Sequence, residues 1–141
     1  MPNPVIRFRI DFSQDSNVGP GKIELLEAIQ SSGSLSQAAR DIGMSYRRAW
    51  QLMESLNAAF MEPLTIASVG GKGGGGVQIT KFGAILMKSY RALEADIAKT
   101  AANHLHAVIP NVAGSRAAKS KAPRRPLARK SKAQHWSKTQ R

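Results

Sequence analysis

A chain of 141 residues has room for one ordinary domain with a single hydrophobic core. The absence of cysteine excludes a disulfide framework, a thiol nucleophile and a cysteine-ligated zinc site. The net charge of +12 excludes little by itself, because residues 111–141 hold 10 basic side chains and no acid, whereas residues 1–110 are nearly neutral.

The N-terminal part predicts a strand followed by a helix. Apolar and charged side chains alternate from Val5 to Phe12, which is the pattern of a half-buried strand. A glycine- and proline-containing break follows at 17–21. Apolar residues then recur at helical spacing from Lys22 to Gln30, which predicts the first helix.

Two helices joined by a glycine turn are predicted next. Ser34 is a good N-cap for a short helix over Leu35–Ile42, and Gly43 supplies the left-handed turn after it. A third helix is predicted from Ser45 to Phe60, where apolar residues fall on one face.

The rest of the ordered part predicts a hairpin and a long helix. Two short β-prone runs, 64–66 and 77–79, flank a glycine-rich loop, which indicates a wing-like hairpin with a mobile tip. Thr80 caps a helix from Lys81 to about Ala102, with an extension to Val108 left open. The predicted fold is therefore mainly α.

The Ala39–Gly43 corner predicts a helix-turn-helix. This motif needs a small residue where its two helices touch and a glycine in the turn, and those two residues fill these places. Five surrounding inward positions are also apolar: Ala38, Ile42, Met44, Ala49 and Leu52. The alternative is an ordinary αα-corner in a helical core.

Polar side chains at the start of the third helix form the predicted DNA contacts. Arg47 points furthest from the core and is the first choice for a base contact, whereas Arg48 lies toward the flank and also suits a phosphate. The full predicted set is Ser34, Ser36, Ser45, Tyr46, Arg47, Arg48, Gln51 and Lys72. The alternative is a solvated polar face, with Tyr46 and Trp50 covering the domain edge.

The glycines around Lys72 favour a wing over a nucleotide-binding loop. A phosphate-binding loop of the Walker type opens a helix, whereas this loop leads into a β-prone run. At a hairpin tip, Lys72 would lie along the DNA backbone or minor groove. A plain flexible loop is the alternative.

Several of these segments resemble the N-terminal domain of the ModE family of molybdate-responsive regulators, relatives of LysR-type DNA-binding domains. The resemblance covers roughly residues 5–105 and is carried by residues 33–39, 43–50, 62–64, 70–76 and 79–83. It implies a winged helix-turn-helix with a recognition helix starting at 45–50 and the glycine loop as wing. It also implies dimerisation through the last helix, a palindromic operator and control of molybdate transport or molybdoenzyme genes.

The chain departs from this family after the last helix. Full-length members carry molybdate-binding domains there, and residues 111–141 cannot build such a site. We therefore expect no direct molybdate sensing. The regulator would then act constitutively, be controlled by its own abundance, or depend on a separate molybdate-sensing or RNA polymerase partner.

Residues 109–141 are predicted to be a disordered basic tail after a DNA-binding domain over 1–108. The tail has too little apolar surface to offset the entropy of ordering it. General attraction to phosphates, a minor-groove hook at 123–126 and a merely solvated tail all remain open.

The last helix carries an apolar stripe that predicts a homodimer. Its members are Leu86, Tyr90, Leu93 and Ile97. Packing within the monomer against the first helix is the alternative.

No catalytic machinery, cofactor site or metal site is predicted. His104 and His106 lie two residues apart on a helix and face different directions, and no carboxylate pair accompanies a nucleophile. No apolar run reaches the about 18 residues of a membrane span, and no export signal is present, so we expect a cytoplasmic protein.

The sequence therefore predicts a transcriptional regulator that binds specific double-stranded DNA and is not an enzyme. Two alternatives remain open: a nucleoid-associated protein that coats DNA without sequence preference, and a protein-interaction module that does not touch DNA.

Overall fold

A computed structural model describes residues 4–68 and 76–113. Its helices are α1 (Pro20–Ser32), α2 (Leu35–Asp41), α3 (Tyr46–Ala59) and α4 (Lys81–His104), followed by a 3₁₀ turn at Ile109–Asn111. Two small antiparallel sheets pair β1 (Ile10–Asp11) with β2 (Asn17–Val18), and β3 (Thr65–Ser68) with β4 (Gly76–Ile79). The predicted mainly helical fold is confirmed, and the arrangement is compatible with a winged helix.

The chain divides into two compact units. One comprises residues 5–99 and holds both sheets, α1 to α3 and most of α4. The described part of the other includes the last turn of α4 and the 3₁₀ turn. Most of the predicted tail, residues 114–141, lies outside the described residues, so its disorder stays a prediction.

The N-terminal strand is much shorter than predicted. Only Ile10–Asp11 pairs with a partner, because β2 offers just two residues before α1 begins. The apolar alternation is real, since Phe8 and Ile10 pack on the core while Arg7 and Arg9 are exposed. The pattern therefore marks a segment with one half-buried side, and most of that segment has no strand partner within residues 4–68 and 76–113.

Helix α1 lies at the centre of the core. It begins two residues earlier than predicted because Pro20 occupies its first turn, where a missing N–H costs nothing. Ile23 and Leu26 belong to one buried cluster, and Leu25 and Ile29 to a second. The first cluster joins α1 to α4 and the second joins it to α2 and α3, so α1 holds the α2–α3 corner against the rest of the unit.

Tyr90 of α4 is part of the chain's own core. Its ring stacks on that of Phe8 with centroids 4.6 Å apart, and its hydroxyl donates to the Phe8 carbonyl oxygen at 2.7 Å. Burial raises the pKa of the Tyr90 phenol. Leu86, one turn earlier, also packs against this cluster. Half of the predicted dimerisation stripe therefore has a partner within the monomer.

The β3–β4 hairpin is attached to the helices at both strands. The Val77 N–H donates to the carbonyl oxygen of Gly33, the residue that ends α1 and precedes α2. On the other strand, the Asn57 side chain of α3 accepts hydrogen bonds from the N–H groups of Leu64 and Thr65, at 2.7 and 3.1 Å. The base of the hairpin is therefore fixed relative to α2 and α3.

A bidentate ion pair joins α1 to α4. The Arg91 guanidinium contacts both carboxylate oxygens of Glu27 at 2.8 Å and also Glu94 at 2.7 Å. The hydrogen bonds from Arg91 lower the pKa of Glu27 below its ordinary value near 4.5, and both carboxylates raise the pKa of Arg91.

This ion pair is expected to make folding stability sensitive to acid. Because the pKa of Glu27 is lower in the folded than in the unfolded chain, the pair stabilises the fold above about pH 4.5 and the contribution disappears as the pH falls further. Both partners are more than a third exposed, so Glu27→Gln should cost about 0.5 kcal/mol at neutral pH and less in acid. Urea unfolding across pH checks this, with Glu24→Gln as control; equal destabilisation at every pH would contradict it.

Candidate nucleic-acid interface

The α2–α3 corner is built around Gly43. Its φ of +67° lies in the left-handed region, which glycine adopts without the cost a side chain would bring. The Met44 N–H donates to the carbonyl oxygen of Ala39 at 2.9 Å, which closes the turn. Ala39 and Ala49 are both buried, and their small side chains allow the two helices to pack closely. The structure thus brings the predicted corner residues together.

Serine side chains cap both helices of this corner. The Oγ atom of Ser34 accepts from the Gln37 N–H, and that of Ser45 accepts from the Arg48 N–H, each at 3.1 Å. A hydroxyl that accepts still has its own hydrogen to donate. Both predicted serines can therefore stabilise a helix and donate to a phosphate oxygen at the same time.

The first turns of α3 present a continuous exposed set of polar side chains. Arg47 lies two residues before the buried Ala49, which directs it away from the core, and Gln51 follows Arg47 one turn later on the same side. The exposed residues predicted for this interface are Ser36, Ser45, Tyr46, Arg47, Arg48 and Gln51. The structure places them at adjacent helix starts. Their role in DNA binding stays a prediction, and Lys72 lies outside the described residues.

Two other polar residues of α3 serve the fold instead. The Asn57 side chain is occupied by β3, as described above, and the Ser55 hydroxyl accepts a hydrogen bond from Lys22 Nζ at 3.2 Å. By residue type alone, both would count as polar side chains of α3 that are available to a ligand. Their partners come from distant parts of the chain, which residue type does not record.

Lys22 adds positive charge beside the interface, and no sequence pattern indicated this position. Its ammonium group also donates to the backbone and side-chain oxygens of Asn17. Partial burial lowers the pKa of Lys22, and the neighbouring charges of Arg9 and Arg48 lower it further. Lys22, Arg9 and Arg48 therefore bring three positive charges from three parts of the chain to the side of α3 that carries Arg48.

Within residues 4–68 and 76–113 no three histidine or acidic side chains group as a metal site, and no helix there is both long and apolar enough to cross a membrane. A groove of about 490 Å³ between α1 and α4 is lined in equal number by charged and uncharged residues: Glu27, Lys81, Lys88 and Arg91, and Gln30, Ala84, Ile85 and Met87.

Taken together, the capped two-helix corner, its exposed donors and the adjacent hairpin define a fold compatible with the winged-helix class. No family model matches the chain. Over 92 residues it is 40% identical to the molybdenum transport protein ModE of Azotobacter vinelandii, and the match covers 62% of this chain and 34% of that protein.

Two further relatives carry names that state a regulatory role. The chain is 36% identical over 94 residues to the transcriptional regulator ModE of Haemophilus influenzae, covering 67% of this chain and 37% of that protein. It is 42% identical over 74 residues to the DNA-binding transcriptional dual regulator ModE of Escherichia coli K12, covering 52% and 28%. This chain is thus a homologue of ModE-type regulators in their N-terminal region, and it spans about a third of their length.

Proposed function

We propose that this chain is a sequence-specific winged helix-turn-helix transcriptional regulator in which α3 enters the DNA major groove. The observation that carries the proposal is the exposed side of α3 directly after the Gly43 turn, where Arg47 and Gln51 point away from a buried Ala49. Arginine matches the two acceptors of guanine, and glutamine matches the acceptor and donor of adenine. The names of the relatives, which include a DNA-binding regulator, support the same function.

Selection of binding sites tests this proposal directly. The full chain is mixed with a random-sequence duplex library, and bound DNA is recovered and sequenced through successive rounds. A regulator should enrich one motif, and a homodimer should enrich it as two half-sites in inverted orientation. Binding without enrichment, or no binding at all, would contradict the proposal.

Arg47 is expected to determine one position of that motif. Arg47→Ala should relax preference at a single base pair and lower affinity for the selected duplex by about 1–3 kcal/mol, because alanine cannot make the bidentate pair with guanine. The fold should persist, since the side chain is exposed. Arg40→Ala is the matched control: it is an exposed arginine of α2 whose guanidinium is held by Gln37 at 2.9 Å. Equal weakening on every sequence would instead assign Arg47 to a phosphate.

A DNA-coating protein is the second candidate, and the 10 basic residues of 111–141 favour it. A chain ending at Ala113 separates the two functions. For the regulator, truncation should reduce the slope of log affinity against log salt, by about 0.9 for each phosphate that the shortened chain no longer neutralises, while the selected motif is kept. Disappearance of every sequence preference would favour the coating protein.

The proposed regulator is a homodimer that uses the C-terminal half of the α4 stripe. Leu86 and Tyr90 pack in the monomer, but Leu93 is 40% exposed and Ile97 continues the same stripe one turn later. Sedimentation of the full chain at micromolar concentration should give a dimer that Leu93→Asp weakens. If the unchanged chain sediments as a monomer, the assignment of this dimer surface is contradicted.

We further infer that the chain acts in the cytoplasm and that its target genes encode proteins of molybdenum transport or molybdenum-containing enzymes. The support is the name of the Azotobacter vinelandii relative, a molybdenum transport protein, together with its 40% identity. Mapping the genomic sites bound by the full chain tests this inference. Sites unconnected with molybdenum would contradict it and leave the DNA-binding proposal intact.

A further inference from the structure

Trp50 is a large apolar side chain on α3 that stays nearly half exposed. It is 46% exposed, and Tyr46, one turn before it on the same side of the helix, is 56% exposed. Neither is among the buried or half-buried members of the two core clusters in the described residues, whereas Leu52 and Met53 of the same helix are. Together, Tyr46 and Trp50 form what we call the aromatic flank of α3.

The aromatic flank adjoins the donors proposed to read the groove. Arg47 directly follows Tyr46, and Gln51 directly follows Trp50, so each aromatic ring is adjacent in sequence to an outward-pointing donor. Successive helical residues are turned by about 100°. The rings therefore border the side of α3 that faces DNA, where the edge of a groove would meet them.

Duplex DNA offers apolar surface at this position. Deoxyribose rings and the methyl group of thymine are apolar, and thymine presents its methyl group in the major groove. An indole ring also carries one N–H donor, which suits a surface where sugars and phosphate oxygens alternate. The flank is thus matched to DNA in both its apolar area and its donor.

We propose that Trp50, together with Tyr46, packs on the apolar sugar and thymine surface of duplex DNA at the edge of the groove that α3 enters. This inference rests on the proposed DNA-binding function. Apolar contact releases no counterions, so it contributes affinity that does not depend on salt, unlike the arginine contacts. A second copy of the chain as occupant of the flank is an outcome of the test below.

The test uses the duplex that the full chain itself selects. Because the sequence holds only two tryptophans, full-length Trp136→Phe leaves Trp50 as the sole indole. Its emission should change in intensity and wavelength as this duplex saturates the protein. This measurement needs no change at Trp50 and so does not depend on how a Trp50 variant folds.

Substitution then measures the contribution of the ring. Trp50→Ala should weaken binding about tenfold at every salt concentration, leaving the salt slope unchanged, and Trp50→Phe should recover most of the affinity. Met61→Ala, a fully exposed apolar residue just beyond α3, is the matched control and should bind as the unchanged chain does. Thermal melting confirms that each variant is folded.

Replacing thymidine by deoxyuridine in the duplex distinguishes contact with the thymine methyl group from contact with deoxyribose. If the flank contacts a thymine methyl group, this replacement weakens the unchanged chain but not Trp50→Ala. If it contacts deoxyribose, the replacement affects neither protein, and both results support the proposal. Unchanged emission on DNA saturation, unchanged affinity of Trp50→Ala, or a Trp50 effect on self-association alone would overturn it. Absence of DNA binding by the unchanged chain would overturn the proposed function as well.

Discussion

Gly83→Ala is expected to lower the free energy of unfolding by about 3 kcal/mol, near the upper end of the range for an overpacked core position. A β-carbon at this position would overlap the carbonyl oxygen of Leu64 and lie 2.9 Å from Cγ2 of Ile79. Backbone cannot rotate away as a side-chain tip can, so the first turn of α4 would have to move off the hairpin. That movement would also disturb the cap in which the Gly83 N–H donates to Thr80 Oγ1 at 2.9 Å.

Denaturant unfolding of Gly83→Ala beside Gly21→Ala measures this effect against a matched control. Gly21 is also helical, but a β-carbon there would meet no atom within 4 Å. Gly21→Ala should therefore be neutral or stabilising by up to about 1 kcal/mol, because alanine loses less entropy on folding. Equal stability of the two variants would show that α4 does not approach β3 as closely as the structure indicates.

Asn57→Ala is the other change expected to destabilise the fold strongly. It removes the acceptor of the Leu64 and Thr65 N–H groups, and both residues are buried. Each buried group left without a partner costs about 1–3 kcal/mol. The change should also loosen β3 from α3, so DNA affinity should fall even though Asn57 itself does not face the proposed groove.

Asn57→Asp distinguishes the effect of hydrogen bonding from that of packing. A carboxylate has nearly the same shape and keeps both acceptor positions, while the Thr65 hydroxyl can turn to donate to it. Asn57→Asp should therefore retain more stability than Asn57→Ala in the same unfolding measurement. Equal destabilisation by the two variants would mean that these hydrogen bonds contribute little.

The boundaries of the helices were predictable wherever a local hydrogen bond fixes them. Ser34, Ser45 and Thr80 each accept from an N–H three residues ahead. With these caps, α2 and α4 begin where the sequence predicted, and α3 begins one residue later, at Tyr46. The Gly43 turn followed from the same kind of local reasoning. Such features depend on few neighbouring residues, so no knowledge of the distant chain is needed.

Predictions that depended on distant partners were less complete. The strand expected over residues 5–12 shrank to two residues because its only described partner is short. The sequence left a dimer and packing within the monomer as alternatives for the α4 stripe, and the structure stacks Tyr90 on Phe8, 82 positions away. Hydrophobic spacing shows that a face is buried, and it cannot show whether the covering surface belongs to the same chain.

The sequence by itself determined the order of the four helices and the β3–β4 hairpin, the capped corner and the identity of the donors at the start of α3, since each depends on local geometry and periodicity. Tertiary structure alone decided which polar side chains of α3 stay exposed: Asn57 hydrogen-bonds to the Leu64–Thr65 backbone and Ser55 to Lys22, while Arg47 and Gln51 remain exposed. It also decided that Trp50 stays nearly half exposed. The physical reason is that a side chain's availability is set by contacts across the fold, which its own helix does not encode.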